Sequence, residues 1–415
     1  MTTMNVPGAP NPVRAEPGWP PAVIAGAYQT GVLGVRGLLR RGVRAVCFDS
    51  NPRNPGFKSV YGPARLSPNP DADGEAWLGF MLDLASGFEQ RPVLIPSSDQ
   101  FVTAIARYAT SLRDAYVLSP GAELQGLLAD KQTQYGLAAR HGMPMPVTAE
   151  VEAAADVETF GRQTTFPCLI KPKHFREWQR LPHDHACFDR KIAIASTAAE
   201  LLALYRAVEP YTPHVILQEI IQGPDTAKRI YLAAYDASSR RIASAMFTEL
   251  RCEPVGFGPA SVTEPVRDDE TDDVCDQFLR AIGYVGICEI EMKRDTVDGR
   301  VKLIEANPRL SGSGDAAPYA GVDLCWLHYL DLIGQHVAPT TPSRWDFRHV
   351  VVRADGRAVP AYWRAGLLGV GDLLRSYRPP LAFYDLDPRD WRYSARTIMS
   401  ASGAFLRGVL TGSRQ

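Results

Sequence analysis

The sequence predicts a multidomain protein of mixed α/β and α+β class. Pro21–Asp49 reads as strand, glycine turn, helix and strand, which is the βαβ unit of doubly wound folds. The stretch from Ile287 to Glu305 reads as two strands joined by a turn, which predicts a β-hairpin. Helix-like and strand-like patterns alternate between these two stretches, and 415 residues are enough for two or three domains.

The composition is that of an ordinary globular protein, with 45% hydrophobic and 22% charged residues. A net charge of −1 gives no electrostatic basis for a nucleic-acid partner. Seven cysteines without a C-x-x-C pair favour a reducing compartment, and hence a cytoplasmic location, over a zinc ribbon or a disulfide framework. No transmembrane segment and no secretion signal are predicted, since the required apolar runs are missing.

Composition and pattern predict four segments along the chain. Residues 1–20 are rich in proline and polar residues and are predicted to be a disordered tail. Residues 21–125 are predicted to form a Rossmann-like domain, and residues 126–340 a central domain with a smaller subdomain at about 147–219. Residues 341–415, rich in aromatic residues and arginine, are predicted to be a small C-terminal appendage.

The N-terminal unit begins with the short apolar strand Ala22–Ala25, followed by a helix that ends near Arg41 and the strand Ala45–Phe48. The glycines that start at Gly26 do not match the dinucleotide fingerprint G-x-G-x-x-G. A tight turn between strand and helix explains them, because glycine adopts backbone conformations that other residues avoid. A nicotinamide-dependent oxidoreductase remains an alternative that rests on this turn alone.

Two polar residues, Ser98 and Asp99, directly follow a predicted strand at Val93–Pro96. Ligands of open α/β sheets bind beyond the carboxyl ends of the strands, so these two side chains are candidates for holding a substrate. The alternative is that they cap the helix that starts near Gln100.

The central domain is predicted from its sequence periodicity. The polar segment Pro172–Arg190 is as long as a lid, contains no glycine, and is predicted to be weakly held because it shows no apolar face. The predicted helices are Leu127–His141, in which Asp130 and Lys131 lie near the start, one after Ala153, Ala198–Ala207 and Asp269–Ile282. The predicted strands are Cys168–Lys171, Val215–Glu219, Ile230–Tyr235, Ile242–Leu250, Ile287–Lys293 and Val301–Glu305.

A set of oxygen ligands is predicted on the hairpin. Glu305 and Asn307 share a face if the second strand persists to Asn307, and Glu291 lies on the neighbouring strand. Carboxylate and amide oxygens suit Mg²⁺, with Mn²⁺ as an alternative, and Arg309 adds a fixed cation beside them. Glutamates on a strand are usually a solvated face, but Glu305 follows an apolar run, where an unbound carboxylate is costly.

Residues on two other predicted strands suit a nucleotide. Lys171 ends an apolar strand, where its ammonium can pair with a phosphate, although a solvated lysine is the alternative. Gln218 and Glu219 end a later strand just before Ile221, so this stretch offers acceptors for an exocyclic amine together with an apolar slot. Asp225 follows on a turn within reach of ribose hydroxyls.

The order of these motifs resembles the ATP-grasp superfamily, and most closely its carboxylate–amine ligases of the D-aspartate ligase type. The resemblance covers roughly Pro21–Gly334 and implies an ATP-grasp fold for residues 126–340. In that superfamily a lysine before the lid matches Lys131, and an E-x-N-P-R segment matches the residues from Glu305 to Arg309. A P-x-x-D segment of the same ligases matches the residues from Pro96 to Asp99.

The resemblance implies a chemistry as well as a fold. It implies ATP and Mg²⁺ as cofactors, and ligation of a small carboxylate to a small amine through an acyl phosphate, with release of ADP and phosphate. Arg251 stands where related ligases carry a basic residue that faces the acyl phosphate, although an exposed strand arginine is the alternative.

The activity, the substrates and the oligomeric state stay open at this stage. A carboxylase or kinase on the same fold is one alternative activity. A nucleotide-binding regulatory module without turnover is another, favoured by the glycine-free lid. The identities of the acid and the amine, and whether the protein forms a homo-oligomer, are not predicted.

Overall fold

Three β-sheets organise the chain in the computed structural model, which describes residues 14–62, 64–173, 175–190 and 192–410, without the side chains of Phe175, Arg176 and Leu410. The prediction of a mixed α/β protein is confirmed. The described residues divide into two compact units: unit 1 lies within Met1–Leu137, Pro224–Met292 and Glu305–Gln415, and unit 2 within Ala138–Gly223 and Lys293–Ile304. The predicted domain boundaries remain predictions, and most of the predicted tail, residues 1–13, lies outside the described residues.

A four-stranded parallel sheet of order β3-β2-β1-β4 begins unit 1. Its central strand β1 is completely buried, which fits its uninterrupted apolar sequence. The strands and the helix predicted for this part agree with the structure to within one residue. The elements are β1 (Ala22–Ala25), α1 (Gln29–Arg40), β2 (Ala45–Asp49), β3 (Arg65–Leu66), α2 (Gly74–Ser86), β4 (Val93–Pro96), α3 (Asp99–Arg107), α4 (Ala109–Leu112) and α5 (Ala122–Ala129).

The glycine turn between β1 and α1 is required by close packing. Gly26 has a φ of +120°, a conformation that side chains disfavour. A Cβ on Gly26 would lie 2.4 Å from Ser97 Oγ, and a Cβ on Gly31 would lie 1.9 Å from the carbonyl oxygen of Gly26. Both glycines are therefore accounted for by the tight turn, without any dinucleotide.

The helix predicted over Leu127–His141 is broken at Asp130. Helix α5 ends just before this residue, and helix α6 (Lys131–Arg140) begins just after it. The Asp130 carboxylate accepts hydrogen bonds from the backbone N–H and the hydroxyl of Thr133, both at 2.9 Å, so it caps the second helix. Lys131 is thereby fixed in the first turn of α6.

Unit 2 contains an antiparallel sheet of order β5-β8-β6-β7. Two helices pack on it through buried side chains that include Phe160 and Tyr205. All the strands and helices predicted for this region are confirmed to within one residue. The elements are β5 (Thr148–Val151), α7 (Ala154–Gln163), β6 (Cys168–Pro172), β7 (Ala193–Ala195), α8 (Ala198–Val208) and β8 (Val215–Glu219).

The predicted lid segment Pro172–Arg190 is anchored in the core of unit 2. It contains the 3₁₀ helix Phe175–Arg180, and Trp178 within that helix is completely buried. Leu181 and Cys187 are buried in the same core. The prediction that the segment lacks an apolar face is therefore wrong. The sequence did not indicate this burial, because the apolar residues of the segment are spaced too irregularly to show a helical or strand period.

The remainder of unit 1 is built on a mixed seven-stranded sheet of order β13-β12-β9-β10-β11-β14-β15, in which residues 293–304 at the β12–β13 turn belong to unit 2. Strand β13 reaches Asn307, as the predicted metal set requires. The elements are β9 (Lys228–Tyr235), β10 (Arg241–Cys252), β11 (Ala260–Pro265), α9 (Asp269–Ala281), β12 (Gly286–Arg294), β13 (Val301–Asn307), α10 (Leu324–Leu332), β14 (Arg348–Val350), α11 (Val352–Arg364), α12 (Val370–Ser376), β15 (Leu381–Phe383) and α13 (Trp391–Leu410). None of the described helices is both long and apolar enough to cross a membrane.

The segment predicted as a C-terminal appendage is an integral part of unit 1. Strand β14 pairs antiparallel with β11, where Val350 lies opposite Val262, and β15 extends the sheet in parallel. The sequence did not predict these strand pairings, because the strands have only three residues each and their partners are distant in sequence.

A buried ion pair ties this segment to strand β10. Arg251 is 1% exposed, and its Nε and Nη2 atoms donate to the two carboxylate oxygens of Asp355 at 2.9 and 3.0 Å. Its Nη1 donates to Ser376 Oγ at 2.7 Å, and the guanidinium lies 5.3 Å from the centre of the Tyr377 ring. The guanidinium is thus fully occupied inside the protein.

We predict that Arg251→Met lowers the free energy of unfolding by about 3–5 kcal/mol, because it leaves the Asp355 carboxylate buried without its cation. Arg113→Met is the matched control, since Arg113 and Glu123 form an ion pair with both side chains about half exposed, and its loss should cost about 0–1 kcal/mol. Denaturant unfolding measures both. Unchanged stability in Arg251→Met together with a loss of activity would contradict this structural role.

Candidate active site

Carboxylates from three strands of unit 1 lie close enough to influence one another's ionisation. They are Glu249 on β10, Glu289 and Glu291 on β12, and Glu305 on β13. Glu289 and Glu291 are two residues apart and share one face of their strand. This cluster, named the acidic cluster below, contains both glutamates that the sequence predicts as metal ligands.

Glu289 is one of the two members that sequence reasoning missed, and the other is Glu249. Glu289 is 4% exposed, and its Oε1 atom accepts a hydrogen bond from Asn307 Nδ2 at 3.1 Å. Its Oε2 atom is buried and has no hydrogen-bond partner among the described residues. Burial raises the pKa of Glu289, and the charge of Glu305 adds to this shift, while Ser311, Arg309 and Asn307 oppose it. The two-residue spacing from Glu291 was the signal in the sequence that could have identified Glu289.

Glu291, the predicted ligand on the same strand, is partly exposed. The surrounding protein raises its pKa well above the ordinary value, mainly by desolvation and then through the negative charges of Glu289, Glu305 and Glu249. A carboxylate in this position favours protonation unless a cation approaches it. The cluster therefore has the electrostatics of a cation-binding site.

Glu305 is balanced by a lysine of unit 1. Lys131 Nζ lies 3.2 Å from Glu305 Oε2. Burial opposes ionisation of Glu305, but Lys131, with Asn307 and Arg309, outweighs burial and lowers the pKa of the carboxyl. The pairing with Glu305 raises the pKa of Lys131. The structure therefore brings together two predicted residues that lie 174 positions apart in the chain.

Asn307 and Arg309 connect this cluster to the end of strand β4. Arg309 Nη2 donates to Asn307 Oδ1 at 3.1 Å, and Arg309 also donates to both oxygens of Asp99 at 2.6 and 3.0 Å. Ser98 occupies the N-cap position of α3 but makes no capping hydrogen bond, and its buried Oγ has no partner among the described residues. The capping explanation for Ser98 is therefore wrong, and Asp99 is an arginine partner.

A lysine that sequence reasoning also missed lies at the edge of the acidic cluster. Lys228 Nζ lies 2.8 Å from Glu249 Oε2 and 3.8 Å from Asp225 Oδ1. Burial raises the pKa of Glu249 to about 7, with Lys228 opposing this shift and Asp225 adding to it. Asp225, predicted to face a ribose, accepts a short hydrogen bond from the Tyr362 hydroxyl.

Arg251, predicted to act in catalysis, is not placed with these groups. The pairing between β10 and β11 shifts register between Glu249 and Arg251, which is the geometry of a β-bulge. The bulge breaks the alternation that would put both side chains on one face. Glu249 therefore joins the acidic cluster, while Arg251 pairs with Asp355.

The predicted nucleotide residues on β6 and β8 belong to unit 2. Lys171 Nζ donates to Gln218 Oε1 at 3.1 Å, because Gln218 lies opposite Leu169 and Lys171 is two residues further along the same face. Glu219 accepts a short hydrogen bond from the Thr165 hydroxyl, and Ile221 is buried. The predicted lysine and glutamine are thus brought together, and their roles toward a nucleotide remain predictions.

Comparison with known proteins gives one curated relative and many structural ones. No protein-family model matches the chain. D-aspartate ligase from Enterococcus faecium (strain Aus0004) is 25% identical over 260 residues, which is 60% of this chain and 61% of that protein. The chain therefore matches less than two thirds of the length of its curated relative.

Two solved structures illustrate the likeness of the fold. N5-carboxyaminoimidazole ribonucleotide synthetase from Thermus thermophilus superposes with a TM-score of 0.58 at 17% identity, over 77% of this chain and 80% of that chain. The biotin carboxylase domain of Hydrogenobacter thermophilus 2-oxoglutarate carboxylase, solved with MgADP, ADP and bicarbonate, superposes with a TM-score of 0.58 at 14% identity, over 79% of this chain and 73% of that chain. The chain thus resembles the ATP-grasp ligases of the carboxylate–amine type, as the order of its motifs predicted.

Proposed function

We propose that this protein is an ATP-dependent ligase that joins a small carboxylate to a small amine. The observation that carries the proposal is the acidic cluster with its flanking cations, in which Glu305 pairs with Lys131 and Asn307 pairs with Arg309. The resemblance to D-aspartate ligase supports the same reaction class, since that relative is by its name a ligase that acts on an amino acid.

The residues of the acidic cluster fit a divalent cation. Glu291, Glu305 and Asn307 offer only oxygen ligands, which suit Mg²⁺ and also Mn²⁺. Glu289 adds a buried carboxylate oxygen without a hydrogen-bond partner among the described residues. Burial raises the pKa values of Glu289 and Glu291, and the charge of Glu305 adds to both shifts. When bound there, Mg²⁺ would neutralise phosphate charge.

Two cations of unit 1 are assigned to the remaining negative charge of the phosphates, and they are Lys131 and Arg309, held beside the acidic cluster. Lys171 is held by Gln218 in unit 2, and its pairing with a phosphate stays a prediction. Each pairs with a side chain that orients it, so the charge is preorganised before a substrate arrives.

The nucleoside of ATP is assigned to residues at the end of β8 and beyond. Gln218 and Glu219 supply polar groups for the base, and Ile221 supplies an apolar surface. Asp225 would exchange its hydrogen bond with Tyr362 for one with a ribose hydroxyl.

In the proposed reaction, the substrate carboxylate attacks the γ-phosphorus of ATP, giving an acyl phosphate and ADP. The amine then attacks the acyl carbon and displaces phosphate, giving an amide. The chain contributes by positioning and charge neutralisation. Arg309, which reaches both Asn307 and Asp99, would orient the carboxylate, and Ser98 Oγ, which has no hydrogen-bond partner among the described residues, would donate a hydrogen bond to it.

We expect ADP to form in step with an amide when the correct acid and amine are supplied with ATP and Mg²⁺. The measurement is a screen of amino-acid-like acids and amines for ADP release, with mass detection of the product. A matched arm replaces the acid by bicarbonate and keeps the amine. ADP release with bicarbonate in place of the acid would favour a carboxylase. ADP release with the acid alone, together with a stable phosphorylated product, would favour a kinase. The absence of ADP release with every pair of substrates would favour a non-catalytic nucleotide-binding module.

Glu305→Gln should reduce turnover by about 100-fold, because it removes one negative charge from the cation ligands and the partner of Lys131. The fold should be retained, since this ion pair is half exposed and contributes little to stability. Initial rates of ADP release over a range of Mg²⁺ concentrations measure the effect, with the exposed Glu158→Gln as the matched control. Wild-type rates in Glu305→Gln at ordinary Mg²⁺ concentrations would contradict the assignment of the cation ligands.

ATP with Mg²⁺ should raise the melting temperature, whereas NADH should not. A ligand that binds only the native state stabilises it by mass action, by about 2.7 kcal/mol at one hundred times its dissociation constant. Thermal unfolding with each nucleotide measures the shift, and ATP with a chelator serves as the control for the cation. A shift with NADH and none with ATP would support the oxidoreductase alternative instead.

A further inference from the structure

The C-terminal part of unit 1 exposes a concentration of large apolar side chains. Among the described residues, ten of the twenty exposed large apolar side chains lie within residues 363–409, and the other ten are spread over residues 28–297. Leu374 is 69% exposed and Met399 is 67% exposed. We name the exposed side chains of residues 363–409 the C-terminal surface. Exposed apolar groups at this density mark an interaction site rather than ordinary surface.

Helices α11, α12 and α13 form one packed group beneath this surface. A Cβ on Gly408 would lie 2.7 Å from Pro360, so α13 approaches α11 closely there, and the rings of Trp363 and Phe405 are 6.4 Å apart. Leu373 of α12 packs on the same small core as Phe405. The three helices therefore form one packed group, and their exposed side chains lie on its surface.

The same surface is strongly basic. Residues 363–409 contain seven arginines, all exposed, and no lysine or glutamate. Of the four aspartates in this range, Asp385 and Asp387 are buried and only Asp372 is fully exposed. The exposed charge of this part is therefore positive although the whole chain carries −1.

Helix α13 carries exposed apolar side chains and exposed arginines next to each other. Trp391, Ile398 and Val409 recur at spacings of seven and eleven residues and form an exposed apolar stripe. Arg392 and Arg396 lie next to that stripe, while Thr397 and Ala401 on the inner side are buried. An outward apolar stripe flanked by arginine is the pattern of a helix that lies in the interface of a membrane.

We propose that the C-terminal surface docks reversibly on an anionic lipid bilayer. The apolar stripe would enter the headgroup boundary, and the arginines would pair with lipid phosphates while their stems cover apolar surface. A second copy of the chain is a poorer occupant, because a symmetric dimer places the same patch on both sides and would bring two arginine-rich faces together. The proposal does not depend on the proposed function.

Co-sedimentation of the full-length protein with vesicles tests the proposal. We expect binding to vesicles of phosphatidylcholine and phosphatidylglycerol, at least about tenfold weaker binding to phosphatidylcholine alone, and weaker binding at high salt. Ile398→Glu with Met399→Glu, and separately Arg392→Gln with Arg396→Gln, should each reduce binding about tenfold or more. These four side chains are exposed, so circular dichroism and ADP release should match the wild type.

Matched controls lie elsewhere on the molecule. Val297→Glu changes an apolar side chain that is 76% exposed, and Arg53→Gln changes an exposed arginine outside the C-terminal surface, so neither should alter binding. The absence of vesicle binding by the wild type, or equal binding by wild type and both double variants, would overturn the proposal. A concentration-dependent dimer that the Ile398→Glu and Met399→Glu variant abolishes, without vesicle binding, would assign the surface to a second copy.

Discussion

Carboxylates crowded onto neighbouring strands must be balanced by cations, and this requirement governs the candidate site. Glu305 is paired with Lys131 from a distant helix, and Glu249 is paired with Lys228 from the adjacent strand. Glu289 and Glu291 form no ion pair among those described, and burial and the charge of Glu305 raise the pKa values of both, against weaker opposing effects of Arg309 on Glu289 and of Lys228 on Glu291. The site is thus assembled with more negative charge than its own lysines neutralise, which suits it to a divalent cation.

A single irregularity in strand β10 separates two charged groups with different tasks. Without the shift of register after Glu249, alternation would turn Arg251 toward the same face as the acidic cluster. With it, Arg251 forms a buried, doubly hydrogen-bonded pair with Asp355. A neutral side chain there would leave Asp355 uncompensated, so the bulge also secures the C-terminal segment to the sheet. The residue that resembles a catalytic arginine by its position is committed to the architecture.

Much of the fold was predictable because it rests on local periodicity. The buried strands and amphipathic helices of both units show the expected spacing, and the pair Glu305 and Asn307 follows from the two-residue repeat of one strand. The errors occur where distant residues decide the outcome. Trp178 is buried by strands and helices that lie before and after its own segment, so no local sequence pattern indicates its burial. Lys228 and Glu249 become recognisable only when strands β9 and β10 are paired.

The net charge was the least informative property for predicting binding sites, because it sums charges that lie at different places in the folded protein. The value of −1 combines an acidic cluster in the sheet with an arginine-rich C-terminal surface. At physiological ionic strength an exposed charge is screened beyond about 8 Å, so a ligand at one site responds to the local groups and hardly to the total. A near-neutral chain can therefore hold a cation among its glutamates and present a basic face to an anionic partner. Arguments from the total charge apply to long-range attraction, whereas recognition at each face depends on the side chains that the fold gathers there.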